Sequence, residues 1–234
     1  MIISPLFLVL TLPAMFFAMW AQYKVRSTFQ KYSEVPNMHR VSGTEVAQAL
    51  MRSEGLDYLK VHRVGGDLTD FYNPADKSIN LSDGSTRKPS IAALAIVAHE
   101  LGHAVQDREG YFWMRARASI VGIANVGSNL GSMLFFIGLL LGAARGGLGW
   151  SVALAGTVLF AGAVAFTLVT LPVELDASRR ARQMLMSNGL VSAQDADGVS
   201  KMLNAAALTY VAAAAQAVSQ LLYFVLLLFG GRRD

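Results

Sequence analysis

The sequence predicts a mainly α membrane protein, with about four transmembrane helices and one small α+β domain between the first and the second. Three observations carry this. Of the 234 residues, 53% are hydrophobic and only 15% charged, a balance outside that of ordinary soluble domains. Four apolar runs, Ile2 to Gln22, Ile120 to Gly142, Leu148 to Leu171 and Ala205 to Phe229, are each long enough to cross a hydrocarbon layer as a helix. The polar residues gather in two stretches, 23–119 and 173–204.

The first run is interrupted only by Ser4, Thr11 and two prolines, and Lys24, Arg26 and Lys31 follow it. A signal peptide carries its positive charge before the apolar run, so 1–22 reads as a retained anchor. In 23–119, Ser42-Gly-Thr-Glu45 is a capping box, Val46, Ala49 and Leu50 share one helical face, and Gly55 ends that helix. Tyr58 to Val64 alternates as a strand does, and Gly65-Gly66 turns the chain. Leu68 to Tyr72 and Ser78 to Ser82 read as two further short strands around the turn Asn73-Pro-Ala-Asp76. A strand just before a site helix often lends its free edge to an extended peptide, a role open to Ile79–Ser82 beside that of an ordinary edge strand.

The next element organises the rest. Pro89-Ser90 is a helix start and Gly110 a helix stop, so 90–109 reads as one helix. On it His99 and His103 are four apart and project from one face, with Glu100 beside them: His-Glu-x-x-His. Neutral imidazoles are good zinc ligands, and a catalytic zinc takes three protein ligands and leaves its fourth position to water. Glu100 suits the general base that takes a proton from that water and passes it to a leaving amine. The chain has no cysteine, which removes disulfides and thiolate zinc sites together, so any zinc must be held by His and carboxylate. That favours a catalytic over a structural site.

The second span carries Asn125, Ser128, Asn129 and Ser132 at three- and four-residue spacing with Gly127 and Gly131, a face that reads as a helix-packing surface. Arg145 lies in the Gly-rich turn before the third span, which ends at Pro172; the fourth carries Gln216 and Gln220. Of the 20 Lys and Arg, 23–119 holds 13 and 173–204 holds 4, leaving Arg145, Arg232 and Arg233. Both polar segments are therefore expected on the cytoplasmic side. The net charge of +4 and pI of about 9.5 come from these membrane-flanking cations, not from an aromatic-interleaved patch, so nucleic acid is not an expected partner.

A two-histidine site needs a further ligand on the same side of the membrane. After Pro172 a helix is expected to start and to stop at Asn188-Gly189. Glu174 stands in its first turn, where it is either the third ligand or a partner of the helix dipole, and Asp176 is the alternative ligand.

The order of one anchor, a small polar domain, His99-Glu-Leu-Gly-His-Ala-Val-Gln, two spans, Pro172-Val-Glu-Leu-Asp-Ala-Ser-Arg-Arg and a last span resembles the YugP-type neutral zinc metallopeptidases of bacterial membranes. The resemblance covers nearly the whole chain and includes Asp70 to Ser82. More distantly the layout is similar to HtpX and the CAAX prenyl proteases. It implies a zincin-like (gluzincin-type) cytoplasmic catalytic domain, Zn2+ as cofactor, His99, His103 and Glu174 as ligands, and Glu100 as base. It further implies a multi-pass protein of the bacterial inner membrane acting on polypeptides, membrane proteins among them. The implied division is 1–22 anchor, 23–119 catalytic domain, 120–172 two spans, 173–204 ligand-bearing helix and 205–234 last span and tail.

One position departs from the broader class. In many of its enzymes an Asp four residues after the ligand Glu orients a zinc-bound His; here that position is Ser178, which leaves Asp176 or a backbone carbonyl for that task. For stabilising an oxyanion, His62, Tyr72, Asn73 and Arg179 are candidates. His39 and His62 otherwise read as surface or strand histidines, and Arg179, Arg180 and Arg182 as headgroup contacts. Two other functions fit parts of the pattern. In a non-catalytic scaffold, zinc would only staple the first domain to the later helix, closed by a fourth ligand. In an intramembrane protease, the motif would lie within the bilayer, but the apolar run 90–98 is bracketed by charge and too short to span.

Overall fold

The computed structural model describes residues 5–143 and 146–230, so Ile2 to Ser4 of the expected anchor, Arg145 and Arg232-Arg233 lie outside the described residues. The chain is mainly helical with one small sheet. In order it forms α1 (Pro5–Ser33), α2 (Gly43–Ser53), β1 (Lys60–Val64), β2 (Phe71–Asn73), β3 (Ser78–Ser82), α3 (Asp83–Arg87), α4 (Ile91–Arg108) and α5 (Phe112–Val126). A π-helical turn, Gly127–Gly131, leads to α6 (Ser132–Leu140), α7 (Gly147–Ser187) and α8 (Ala193–Gly230). Four helical stretches, Pro5–Ser33, Phe112–Leu140, Gly147–Ser187 and Ala193–Gly230, are long and apolar enough to cross a membrane.

All four run beyond the apolar runs of the sequence. Pro172 does not end the third span: α7 continues through it to Ser187. Proline removes one hydrogen bond to the residue four before it, but the helix-forming residues on both sides keep the remaining ladder intact. The expected separate helix after Pro172 is thus the last part of α7. Upstream of the fourth run, Ser192 and Asp195 cap α8 reciprocally, and Asp195 Oδ2 also accepts the Met38 N–H at 3.1 Å.

Contacts divide the chain into two units, one of residues 1–21, 115–171 and 210–234, the other of 22–114 and 172–209. In the first, Phe135 stacks on Phe224 with ring centroids 3.8 Å apart, and Phe160, Val164 and Tyr223 complete a buried cluster. Gly127, Gly131 and Gly138 meet α7 at backbone distance, near Leu159, Phe160, Gly156 and Gly149. The small residues therefore form the packed face. Asn125, Ser128 and Asn129 lie off it and are exposed, which corrects the expectation that glycines and polar side chains share one face.

The second unit is the α+β part. Its core gathers Leu50, Leu56, Ile79, Leu81, Leu94, Val97, Leu101 and Leu185 around α4, of which nearly every residue is buried. The capping box of α2 is present, Ser42 accepting from Glu45 N–H while the Glu45 carboxylate accepts from Ser42 N–H at 2.7 Å. The sheet order is β1-β3-β2, with β1 parallel and β2 antiparallel to β3. Strand β2 begins at Phe71 because Leu68 adopts a left-handed turn conformation, φ 56°, that a strand does not admit. The five-residue α3, capped by Ser82, is an addition in a stretch whose Asp, Gly and Ser suggest only a loop.

The sheet order also corrects the strand expected to offer its edge. Ser78–Ser82 is central and buried throughout, with β1 along its whole length and β2 against Ser78–Asn80, so it is not an edge strand; the edges are β1 and β2. After the β2–β3 hairpin closes one side, β1 fills the other.

Candidate metal centre

Helix α4 starts at Ser90, whose Oγ accepts the Ala93 N–H at 3.2 Å. It ends in a Schellman arrangement: Tyr111 N–H reaches Gln106 O at 2.8 Å, Gly110 N–H reaches Asp107 O, and Gly110 takes φ +63°. Between these caps the helical spacing sets His99 and His103 edge to face, with ring centroids 4.8 Å apart. Helix α7 crosses α4 at Gly102 and Ala177, a contact close enough that backbone meets backbone.

That crossing brings Glu174 to the histidines. Its Oε2 lies 3.2 Å from His99 Nε2 and 3.4 Å from His103 Nε2, and all three residues are largely buried. A tetrahedral zinc about 2.0–2.2 Å from each donor sets its donors about 3.3–3.6 Å apart, so two imidazoles and this carboxylate fit a zinc ion in both chemistry and spacing. Among the described residues His99, His103 and Glu174 are the group able to hold a metal, with candidate donor atoms within 4.8 Å of one another. Burial acts to lower the His103 pKa, but the Glu174 carboxylate outweighs it and holds the imidazole above its ordinary value.

Glu100 is buried on the same helix, and Tyr72 N–H, on the outward edge of β2, donates to its Oε2 at 2.9 Å. Burial holds the Glu100 carboxyl above the usual carboxylate range, and the neighbouring imidazoles offset this only in part. The Tyr72 hydroxyl donates instead to Asp107 Oδ2 at 2.6 Å, where Lys77 Nζ also binds. Edge strand β2 is thus fastened to α4 at two points two turns apart.

The groups behind the two imidazoles differ from what spacing suggests. Ser178 itself supplies the partner of His99, Oγ to Nδ1 at 3.2 Å. His103 Nδ1 faces Gln106 Oε1 at 3.0 Å, a contact that sequence reasoning missed although Gln106 stands one turn after His103 on the same face. Asp176 reaches neither histidine directly: its carboxylate accepts from Gln106, Arg179 and Arg180, so two of the arginines expected at headgroups are bound here. Of the other oxyanion candidates, Asn73 Oδ1 accepts from Ala75 N–H and His62 is exposed on β1; His39 too is exposed.

Residues 7–229 match the family described as "Putative neutral zinc metallopeptidase". The chain is 40% identical over 229 residues to "Putative membrane protease YugP" of Bacillus subtilis (strain 168), across 98% of this chain and 99% of that protein. No solved structure matches.

Proposed function

The chain belongs to the family described as "Putative neutral zinc metallopeptidase", and from that premise we propose that it is a membrane-bound zinc metalloendopeptidase hydrolysing peptide bonds at the cytoplasmic membrane face. The observation that supports this most is the position of Glu174: a carboxylate from a distant helix lies within 3.4 Å of both motif imidazoles. In this reading His99, His103 and Glu174 hold the zinc in a zincin-like cytoplasmic domain built from 23–119 and 173–204. Segments 1–22, 120–172 and 205–234 anchor it in the bacterial inner membrane.

When bound, zinc lowers the pKa of a water molecule towards 7 and polarises the scissile carbonyl. Glu100 takes the proton as the water attacks. Its Oε2 is held by the Tyr72 N–H, so Oε1 is the atom that receives the proton and returns it to the leaving amine. Substrates are polypeptides, and the membrane-spanning helices direct the enzyme towards membrane proteins and their exposed loops.

The scaffold reading requires a fourth protein ligand. Asp176 is already engaged by Gln106, Arg179 and Arg180, and His39 and His62 are exposed, which supports an open site. Zinc content and peptide cleavage of detergent-purified parent, Glu174→Ala and Glu100→Gln test the proposal together. The expected pattern is one zinc in the parent, loss with Glu174→Ala, and retained zinc without cleavage in Glu100→Gln. Cleavage by Glu100→Gln at the parent rate would sink the mechanism, and a parent that takes up no zinc would sink the site.

A further inference from the structure

Gln106 is fully buried, and each end of its amide has an assigned neighbour. Nε2 donates to Val173 O at 2.8 Å and to Asp176 Oδ2 at 2.9 Å, both on α7, while Oε1 faces His103 Nδ1 at 3.0 Å. A backbone carbonyl only accepts hydrogen bonds. The Val173 carbonyl therefore dictates which end of the amide is the NH2, a choice that amide shape alone leaves open. The Asp176 carboxylate, held by Arg179 and Arg180, makes the same demand. Oε1 is then the end turned to His103, and since an amide oxygen also only accepts, Nδ1 must carry the proton. His103 Nε2 keeps its lone pair, 3.4 Å from Glu174 Oε2. His99 is held differently: its partner, the Ser178 hydroxyl, both donates and accepts, so it discriminates less between tautomers.

We propose that Gln106 is a positioning residue of the metal centre, fixing His103 as the Nδ1-protonated tautomer, and that the Val173 carbonyl on α7 sets it. This rests on the zinc-peptidase reading and deepens it. Val173 immediately precedes Glu174, so one docking contact of α7 both delivers the carboxylate and turns the second imidazole's lone pair towards the ion. Two of the three donors become competent only together. Asp176 acts at one further remove, by holding the amide.

The test uses the full chain in detergent micelles with 15N-labelled histidine, comparing parent with Gln106→Met, which has a similar length and no amide. Zinc affinity is measured by chelator competition, and imidazole spectra of the zinc-loaded protein report which nitrogen binds. In the parent, His103 is expected to bind through Nε2 with a slowly exchanging Nδ1–H. In Gln106→Met, affinity is expected to fall by about 10–100-fold and that proton to exchange freely. A variant within about twofold of parent affinity and with an unchanged spectrum overturns the proposal but leaves the zinc reading standing. If Gln106→Met does not fold, the parent spectrum decides alone, since binding through Nδ1 overturns the proposal. A parent that takes up no zinc overturns both readings.

Discussion

Gly102 on α4 faces the backbone of Ala177 on α7 so closely that a β-carbon built at Gly102 would lie 2.7 Å from the Ala177 carbonyl oxygen. The three atoms nearest that β-carbon all belong to the Ala177 backbone. Glu174 is one turn before Ala177, and His99 and His103 flank Gly102, so the distance between helices here sets the distance between donors.

Gly102→Ala should therefore act on the metal centre without touching a donor. The added methyl must displace α7, which is expected to cost about 1–3 kcal/mol of stability and to move Glu174 away from the imidazoles. Thermal unfolding and zinc content of the same sample check this. A variant with parent zinc affinity and parent unfolding temperature would show that the crossing has slack.

What was legible in the sequence was local. His99, Glu100 and His103 lie on one helix, so their spacing alone sets their geometry, and the caps at Ser42 and Ser90 need only neighbours within four residues. Glu174 needed the topology of the spans, because its partners are more than 70 residues away. Gln106 stayed hidden because its role depends on three acceptors or donors that meet only after α7 docks. Strand order, the continuity of α7 past Pro172 and the exposure of Asn125 and Asn129 were illegible for a related reason. Each is decided by what packs alongside, which periodicity does not encode.

Tyr72 separates a fastening role from a catalytic one. Its hydroxyl is bound to Asp107, and burial together with that carboxylate pushes its pKa well above the ordinary value, so it stays protonated and donating. Tyr72→Phe removes this hydrogen bond, while the backbone N–H that holds Glu100 remains. The expected outcome is a loss of about 0.5–1.5 kcal/mol of stability with kcat changed by only a few fold. A fall in kcat of about 10²–10³ at unchanged stability would instead make this hydroxyl an oxyanion donor.

In the first unit, a β-carbon at Gly156 would lie 2.6 Å from the Gly131 carbonyl oxygen and 3.0 Å from the Leu134 carbonyl carbon. Close packing of small residues is what holds helices together when both sides are apolar. Gly156→Leu is expected to destabilise the protein in detergent by about 1–3 kcal/mol, read as a lower unfolding temperature. Zinc affinity of the fraction that stays folded should match the parent, because Gly156 belongs to neither α4 nor the end of α7 that carries Glu174. Equal unfolding temperatures for Gly156→Leu and parent would refute this packing.

Ser178 occupies the position where the broader class places an aspartate, and its hydroxyl lies 3.2 Å from His99 Nδ1. A neutral hydroxyl polarises an imidazole less than a carboxylate does, and it does not by itself select a tautomer. Removing it should therefore matter less than removing the amide behind His103. Ser178→Ala is expected to weaken zinc binding by about tenfold, the low end of the usual effect of such partners, against a larger loss for Gln106→Met. Chelator competition on the two variants side by side gives the ranking. If Ser178→Ala is the weaker binder of the two, His99 and not His103 is the imidazole whose orientation limits the site.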